Sequence, residues 1–238
     1  MRFDIITIFP KIFDSYFNES ILARAQEKKL IEIKVHNLRD YTEDKHNTVD
    51  DSPYGGGAGM VLMADPIIKA VDGIVKSKKT KIVLFSAKGK QFNQKIAYDW
   101  SKKFDQIILV CGRYEGIDER VVKVLRAEEI SVGPYVLTDG EVPAMTVVSA
   151  VSRLVPGVIK LNSLAEESHW NQLIKREKGD KKGEKGRLAP SVVEGLEYPH
   201  YTRPEVLEYK GKKYRVPKIL LSGDHKKIEE WRKSQIKK

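Results

Sequence analysis

Glycine punctuation constrains this chain more than any other feature of its sequence. Between Asp50 and Met145 lie four glycine-bearing stretches: DDSPYGGGAGM (50–60), FSAKGK (85–90), CGRYEGIDERV (111–121) and EISVGPYVLTDGEVPAM (129–145). Glycine costs conformational entropy unless a backbone must turn sharply or approach something closely. The second and third stretches follow the apolar, β-branched runs IVLF (82–85) and QIILV (106–110). Each therefore sits where a buried strand ends and a loop begins. One such stretch alone reads as a surface turn. Four together read as the edge of an open α/β sheet beyond its strands' carboxyl ends, where ligands bind. The first stretch is not a nucleotide loop, because Gly55, Gly57 and Met60 do not complete G-x-G-x-x-G and no Lys-Ser/Thr pair follows.

Strand and helix patterns alternate up to about residue 160. FDIITI (3–8) reads as a strand, and Pro10 opens a helix with Ile12, Phe13, Tyr16, Phe17, Ile21 and Leu22 on a broad apolar face. IEIKV (31–35) alternates as a half-buried strand does. Asp65-Pro66 caps a helix over IIKAVDGIV, a further helix runs around Gln94 to Phe104, and Pro143 starts one that Pro156-Gly157 stops. Strands separated by helices predict an α/β fold with a mostly parallel sheet.

After residue 162 the character changes. KREKGDKKGEKGR (175–187) holds seven basic residues, three acidic and three glycines, with nothing apolar, so it cannot bury enough surface to fold alone. The predicted organisation is a domain over 1–162, a flexible basic linker or lid over 163–190, and a small, mainly helical domain over 191–238. In the last of these, Asp224 caps a helix with Ile228, Trp231 and Gln235 on one side.

Charge follows the same division. Residues 1–170 carry 24 Lys and Arg against 23 Asp and Glu, while residues 171–238 carry 19 against 10, so nine of the ten excess positive charges lie in the last 68 residues. A basic end on a neutral body points to a polyanionic partner, nucleic acid before an acidic membrane surface. No apolar stretch approaches the roughly 20 residues of a membrane helix. MRFDIITIFP lacks the apolar core of a secretory signal, and the expected location is the cytoplasm. The single cysteine, Cys111, excludes an internal disulfide and a cysteine-cluster metal site, and reads as a packed small residue. His46, Asp50 and Asp51 are too sparse a set to assign a metal.

In order and spacing, DDSPYGGGAGM, CGRYEGIDERV, EISVGPYVLTDGEVPAM, SRLVPGV and PHYTRPEVL closely resemble the TrmD family of bacterial tRNA (guanine-N1)-methyltransferases, members of the SPOUT superfamily. The resemblance runs from Met1 to about Glu167 and again from about Ser191 to the end. It implies methyl transfer from S-adenosylmethionine to N1 of guanine 37 in tRNAs with guanine also at position 36. It implies as well a trefoil knot in the sheet's C-terminal part, and a homodimer whose active sites are shared. A magnesium requirement is implied without a protein ligand. Periodicity and spacing do not reveal the knot, which general rules of chain connection disfavour.

Carried over residue by residue, the resemblance assigns Phe85, Ser86, Gly112, Tyr114, Glu115, Gly116, Val132, Gly133, Tyr135, Leu137, Gly140 and Pro143 to the cofactor. Glu115 would face the ribose hydroxyls or the amino group. The guanine pocket would be lined by Tyr54, Gly55, Gly56, Gly57, Gly59 and Met60. His200, Tyr201 and Arg203 of PHYTRP would stack on bases or contact phosphates of the tRNA. Methylation at N1 needs a base for the N1 proton and a cation for charge developing at O6. Arg153 matches the family's active-site arginine, and Glu167, in AEESHW, stands at the position of its aspartate. The insertion that follows leaves Asp180 and Glu194 as alternative bases. The family has proline at Ala87, aspartate at Pro134 and glycine at Asp139. The last departure predicts backbone strain if that position must be left-handed. Two other readings compete: a SPOUT-fold RNA ribose 2′-O-methyltransferase, against which DDSPYGGGAGM and PHYTRP argue, and a noncatalytic RNA-binding protein that kept the fold.

Overall fold

Five strands pair in parallel throughout into one sheet: β1 (Arg2–Thr7), β2 (Glu32–Asn37), β5 (Thr80–Gln91), β6 (Gln106–Val110) and β7 (Glu128–Ser131), in the spatial order β2-β1-β6-β5-β7. The computed structural model describes residues 1–160 and 198–235. Its contacts divide the chain into two compact units, Met1–Ile159 and Lys160–Lys238.

The centre of the sheet follows from its sequence. QIILV has no polar alternation, as expected of a strand covered on both faces, and all five residues of β6 are buried. On one face Ile6, Leu84, Ile108 and Val110 pack with Ile67, Ala70, Val71 and Ile74 of α3 (Ala64–Ile74) and Val121 of α5 (Arg120–Leu125). Strand alternation turns Phe3, Ile5, Ile107 and Leu109 to the other face. There α6 (Glu141–Ser152) contacts β1 and packs on α4 (Gln94–Lys103). Asn93 caps α4, its side chain accepting from the N–H of Ile96 at 3.0 Å.

The expected helix from Pro10 is broken. A 3₁₀ turn (Pro10–Phe13), α1 (Asp14–Phe17) and α2 (Ser20–Glu27) follow one another, with Ser20, the first residue of α2, at φ 53°. The break splits the predicted apolar face. Phe13, Phe17 and Leu22 are buried, whereas Ile12, Tyr16 and Ile21 stay exposed, as does Phe9.

Two further features position the loops. DDSPYGGGAGM is the connection of a short hairpin, β3 (Asp50–Asp51) with β4 (Val61–Leu62). β5 is longer than IVLF predicted. It bulges between Phe85 and Lys90, so that Ile130 of β7 pairs with Phe85 and again with Lys90.

In the second unit the expected helix, α7 (His225–Gln235), is present. Asp224 Oδ1 accepts from the N–H of Lys227 at 3.2 Å. Before it in the chain comes a hairpin that a mainly helical reading did not anticipate, β8 (Val206–Tyr209) with β9 (Lys212–Arg215). Its turn is Lys210-Gly211, both residues at positive φ, and the lysines around that turn hid the strand pattern.

Candidate active site

The bulged part of β5 and the loops that leave the carboxyl ends of β6 and β7 close on one cleft of about 560 Å³. Such an edge of a parallel sheet is where ligand sites form, and the volume suits a small organic molecule. Of the twelve residues assigned to a cofactor from sequence, eleven line this cleft: Phe85, Ser86, Gly112, Tyr114, Glu115, Gly116, Val132, Tyr135, Leu137, Gly140 and Pro143. Gly133 does not, since it lies beneath the Tyr135 ring.

Backbone conformation holds the loops together. Gly140 N–H donates to the Gly112 carbonyl at 3.0 Å. A Cβ at Gly140 would meet Gly112 N at 2.5 Å and Cys111 Cα at 2.7 Å, so any side chain there forces the loops apart. Tyr114 adopts φ 56° and Gly116 φ 133°. A tyrosine held left-handed costs roughly 1–3 kcal/mol, and such residues concentrate where a ligand is gripped.

Asp139 corrects an expectation. It is not left-handed. Its Oδ1 accepts hydrogen bonds from the N–H groups of Glu141 and Val142, each at 3.0 Å. These are two of the donors left unpaired at the start of α6, so the aspartate caps the helix that follows the loop.

Sequence reasoning passed over Arg113, inside the GRYEG motif, although it lines the cleft. Its guanidinium lies over the Phe9 ring at 4.7 Å, 3.3 Å from Glu141 Oε2 and 3.9 Å from Asp139 Oδ2. Glu141 is fully buried and takes a 2.5 Å hydrogen bond from the hydroxyl of Thr7 at the end of β1. An arginine three residues after the end of β6, with the carboxylates Asp139 and Glu141 at the start of α6, was the available signal. Lys88, also in the lining, pairs with Glu119 at 2.9 Å and Glu129 at 3.4 Å, and these hold its ammonium above the usual lysine range.

The lining carries four carboxylates (Glu115, Glu119, Glu129, Asp139) against two cations (Lys88, Arg113). That balance favours a cationic ligand. Among the described residues no cation pairs with Glu115. Cys111 is buried behind the loops, and burial together with Glu141 and Asp139 pushes its thiol well up, so it is packing and not a nucleophile.

The hairpin loop 52–60 does not line the cleft but abuts it. Met60 accepts from the N–H of Glu115 at 3.1 Å, Gly116 accepts from Leu62 N–H at 3.0 Å, and Gly59 lies against the Glu115 side chain. Gly55, Gly56, Gly57 and Gly59 have φ of 88°, 80°, 133° and 76°, which accounts for the glycine run, and Tyr54 is wholly exposed at its tip. Arg153, at the carboxyl end of α6 and half-buried, is not in the lining. Glu167, Asp180 and Glu194 lie outside the described residues. In the second unit His200 stacks on Tyr198 at 4.7 Å, Tyr201 lies 6.3 Å from Trp231, and Arg203 is exposed.

The family model described as tRNA (guanine-1)-methyltransferase TrmD matches residues 1–238. A tRNA (guanine-N(1)-)-methyltransferase of Thermomicrobium roseum is 51% identical over 235 residues, 98% of this chain and 78% of the relative. The enzyme of that name from Dictyoglomus turgidum is 50% identical over 240 residues, 100% and 86% of the two chains. That from Clostridioides difficile is 44% identical over 238 residues, 99% and 92%. With a match along its whole length, and relatives this similar over nearly all of it, the chain belongs to the tRNA (guanine-1)-methyltransferase TrmD family.

Proposed function

We propose that this chain transfers the methyl group of S-adenosylmethionine to N1 of guanine 37 in tRNAs that also carry guanine at position 36. The observation that carries the reading is the acidic cleft built from the bulged part of β5 and the loops after β6 and β7, the segments whose motifs resemble the family's. Bound there, S-adenosylmethionine supplies a methyl group on a sulfonium, and the excess of carboxylates suits that positive charge. Backbone groups of residues 85–87, 112–116 and 132–140 would hold its adenosine, and Glu115 would accept from its hydroxyls or from the amino group.

Residues 54–60 hold the target guanine beside Glu115, with glycine backbone meeting the flipped base closely. Glu167 would take the N1 proton as the methyl–sulfur bond breaks and the N1–methyl bond forms, leaving a neutral thioether, and Arg153 would stabilise the charge developing at O6. Arg153 lies ten residues beyond Pro143, a helical rise of about 15 Å, so α6 carries it away from the cleft that its own amino end lines. This distance supports a homodimer in which each copy supplies Arg153 to the other's cleft. So do the exposed Phe9, Ile12, Tyr16, Ile21 and Val142. A trefoil knot in the C-terminal part of the sheet belongs to the same reading on the strength of the family match.

Residues 163–190 belong to this reading as a basic linker and 191–238 as the tRNA-binding domain. A magnesium requirement belongs to it without a protein ligand, and among the described residues no three His, Cys, Asp or Glu side chains converge. No described helix is long and apolar enough to cross a membrane, and a tRNA substrate points to the cytoplasm.

The test is transfer of a labelled methyl group from S-adenosylmethionine to unmodified tRNA with guanines at 36 and 37, against the same tRNA with adenine at 37. Label on N1-methylguanosine from the first tRNA alone is the expected result, and Glu167→Gln should remove most of it with cofactor binding kept. Cofactor and tRNA binding without transfer would overturn the reading.

A further inference from the structure

The near-neutral charge of the first 170 residues hides a concentration of lysine. Residues 75–103, which run from the end of α3 through β5 and α4, carry nine lysines and no arginine against one carboxylate, Asp99. The rest of residues 1–170 carries 15 Lys and Arg against 22 Asp and Glu. Four of the nine lysines have carboxylate partners. Lys81 and Lys90 pair with Glu128 at 2.5 and 3.7 Å, Lys88 with Glu119 and Glu129, and Lys103 with Asp99 at 3.9 Å. The other five, Lys76, Lys78, Lys79, Lys95 and Lys102, are exposed, and among the described residues none of them pairs with a carboxylate.

The fold sets these five in a track. Helix α4 starts three residues after β5 ends beside the cofactor cleft, and it returns to the amino edge of the sheet, where β6 begins. Lys95 and Lys102, seven residues apart, share one face of α4 about 10 Å apart along its axis. Lys102 lies over the Tyr98 ring between them at 5.6 Å. At the amino edge the loop before β5 meets the end of α4: the Lys79 carbonyl accepts from Asp105 N–H at 3.0 Å, and the Ser77 hydroxyl donates to Asp105 at 3.4 Å. Lys76, Lys78 and Lys79 therefore continue the line that Lys95 and Lys102 begin.

We infer that this track holds the phosphate backbone of the tRNA stem that carries the loop of guanine 37. The inference rests on the tRNA reading above and adds to it a contact surface on the first unit. Lysine suits the role, because its ammonium is a point charge that neutralises a phosphate and reads no base. A membrane surface fits less well. The apolar side of α4, with Ile96, Ala97 and Trp100, is buried in the fold and has nothing to insert between lipids.

The experiment is fluorescence anisotropy of labelled unmodified tRNA with the full chain, at several salt concentrations. Lys95→Gln combined with Lys102→Gln should weaken binding about tenfold at ~50 mM salt and lower the salt slope by about two. Lys76→Gln combined with Lys78→Gln and Lys79→Gln should lower the slope by about three. None of the five lines the cleft, so S-adenosylmethionine affinity and kcat at saturating tRNA should stay at wild type in both variants.

A wild-type slope in either variant would overturn the inference. Vesicles of phosphatidylserine form the second arm: vesicle binding that the variants lose, with their tRNA slope unchanged, assigns the lysines to a membrane surface and overturns it too. Failure of the tRNA reading looks different, since the wild-type chain then neither binds nor methylates tRNA.

Discussion

Strand β1 carries a buried polar cluster near each end, and the two are built from the same materials. Towards its amino end, the fully buried Asp4 accepts from Arg2 by two bonds of 2.7 Å, pairs with His36 Nε2 at 2.8 Å, and accepts from Gln106 Nε2 at 2.7 Å. At its carboxyl end, the equally buried Glu141 accepts from Thr7 and faces Arg113, yet Arg113 Nε and Glu141 Oε2, 3.3 Å apart, have no well-formed hydrogen bond. The first carboxylate is saturated and does not line the cofactor cleft. The second holds an arginine of the cleft wall and is left incompletely satisfied. Buried polar groups ordinarily find partners, so a shortfall at a ligand edge marks where structure has yielded to function.

The contrast is broken if damage at the Asp4 end reaches the cofactor. Asp4→Ala should cost about 3 kcal/mol, because it leaves the donors of Arg2, His36 and Gln106 facing a void. Urea denaturation reads that cost, and calorimetry on the folded protein should find cofactor affinity unchanged. A weakened cofactor affinity would mean that the two clusters are one.

Acid should pick out the same end. Burial alone would raise the Asp4 carboxyl, but hydrogen bonds from His36, Arg2 and Gln106 outweigh it and bring it from 3.8 down to about 2. A carboxylate depressed by folding stabilises the fold above its unfolded value, and that stabilisation is lost as pH falls towards the folded one. About 2 kcal/mol should therefore disappear between pH ~4 and pH ~2. Urea midpoints across that window should fall in wild type, and fall less in Asp4→Asn.

The next expected effect lies at the loops. Gly140→Ala places a methyl group against the backbone of Cys111 and Gly112, neither of which can swing aside as a side chain can. Cofactor affinity should drop at least tenfold, about 1.4 kcal/mol, when titrated by calorimetry. Unchanged affinity would show that the contact between the loops does not shape the cleft.

What the sequence made legible divides along the same line. The strands QIILV and FDIITI and the helix over Gln94–Lys103 follow from local patterns, and the structure has them within a residue or two, whereas the glycine stretch FSAKGK, read as a loop after a strand, lies inside the bulged β5. Asp4 escaped because a single charged residue in FDIITI reads as a flaw in a strand until Arg2, His36 and Gln106 converge on it through the registers of β2 and β6. Arg113 escaped for a like reason, since its partner Glu141 is 28 residues away and their meeting depends on the tertiary fold. The hairpin β8–β9 was hidden by its lysines, which are exposed and therefore uninformative about strand alternation.

The smallest effect is the most discriminating. Glu141→Gln keeps an acceptor for the Thr7 hydroxyl and nearly the same volume, but removes the charge that faces Arg113 and sets an amide against its guanidinium. If the pair is mainly structural, the cost appears as stability, as it does for Asp4. If the pair positions the cleft wall, stability should shift by less than about 1 kcal/mol while cofactor affinity falls several-fold, because Arg113 is then held by Asp139 at 3.9 Å and by the Phe9 ring alone. Calorimetric titration and urea unfolding on one preparation separate the two. A stability loss of Asp4 size with unchanged cofactor binding would place Glu141 in the saturated, structural class and remove the distinction between the ends of β1.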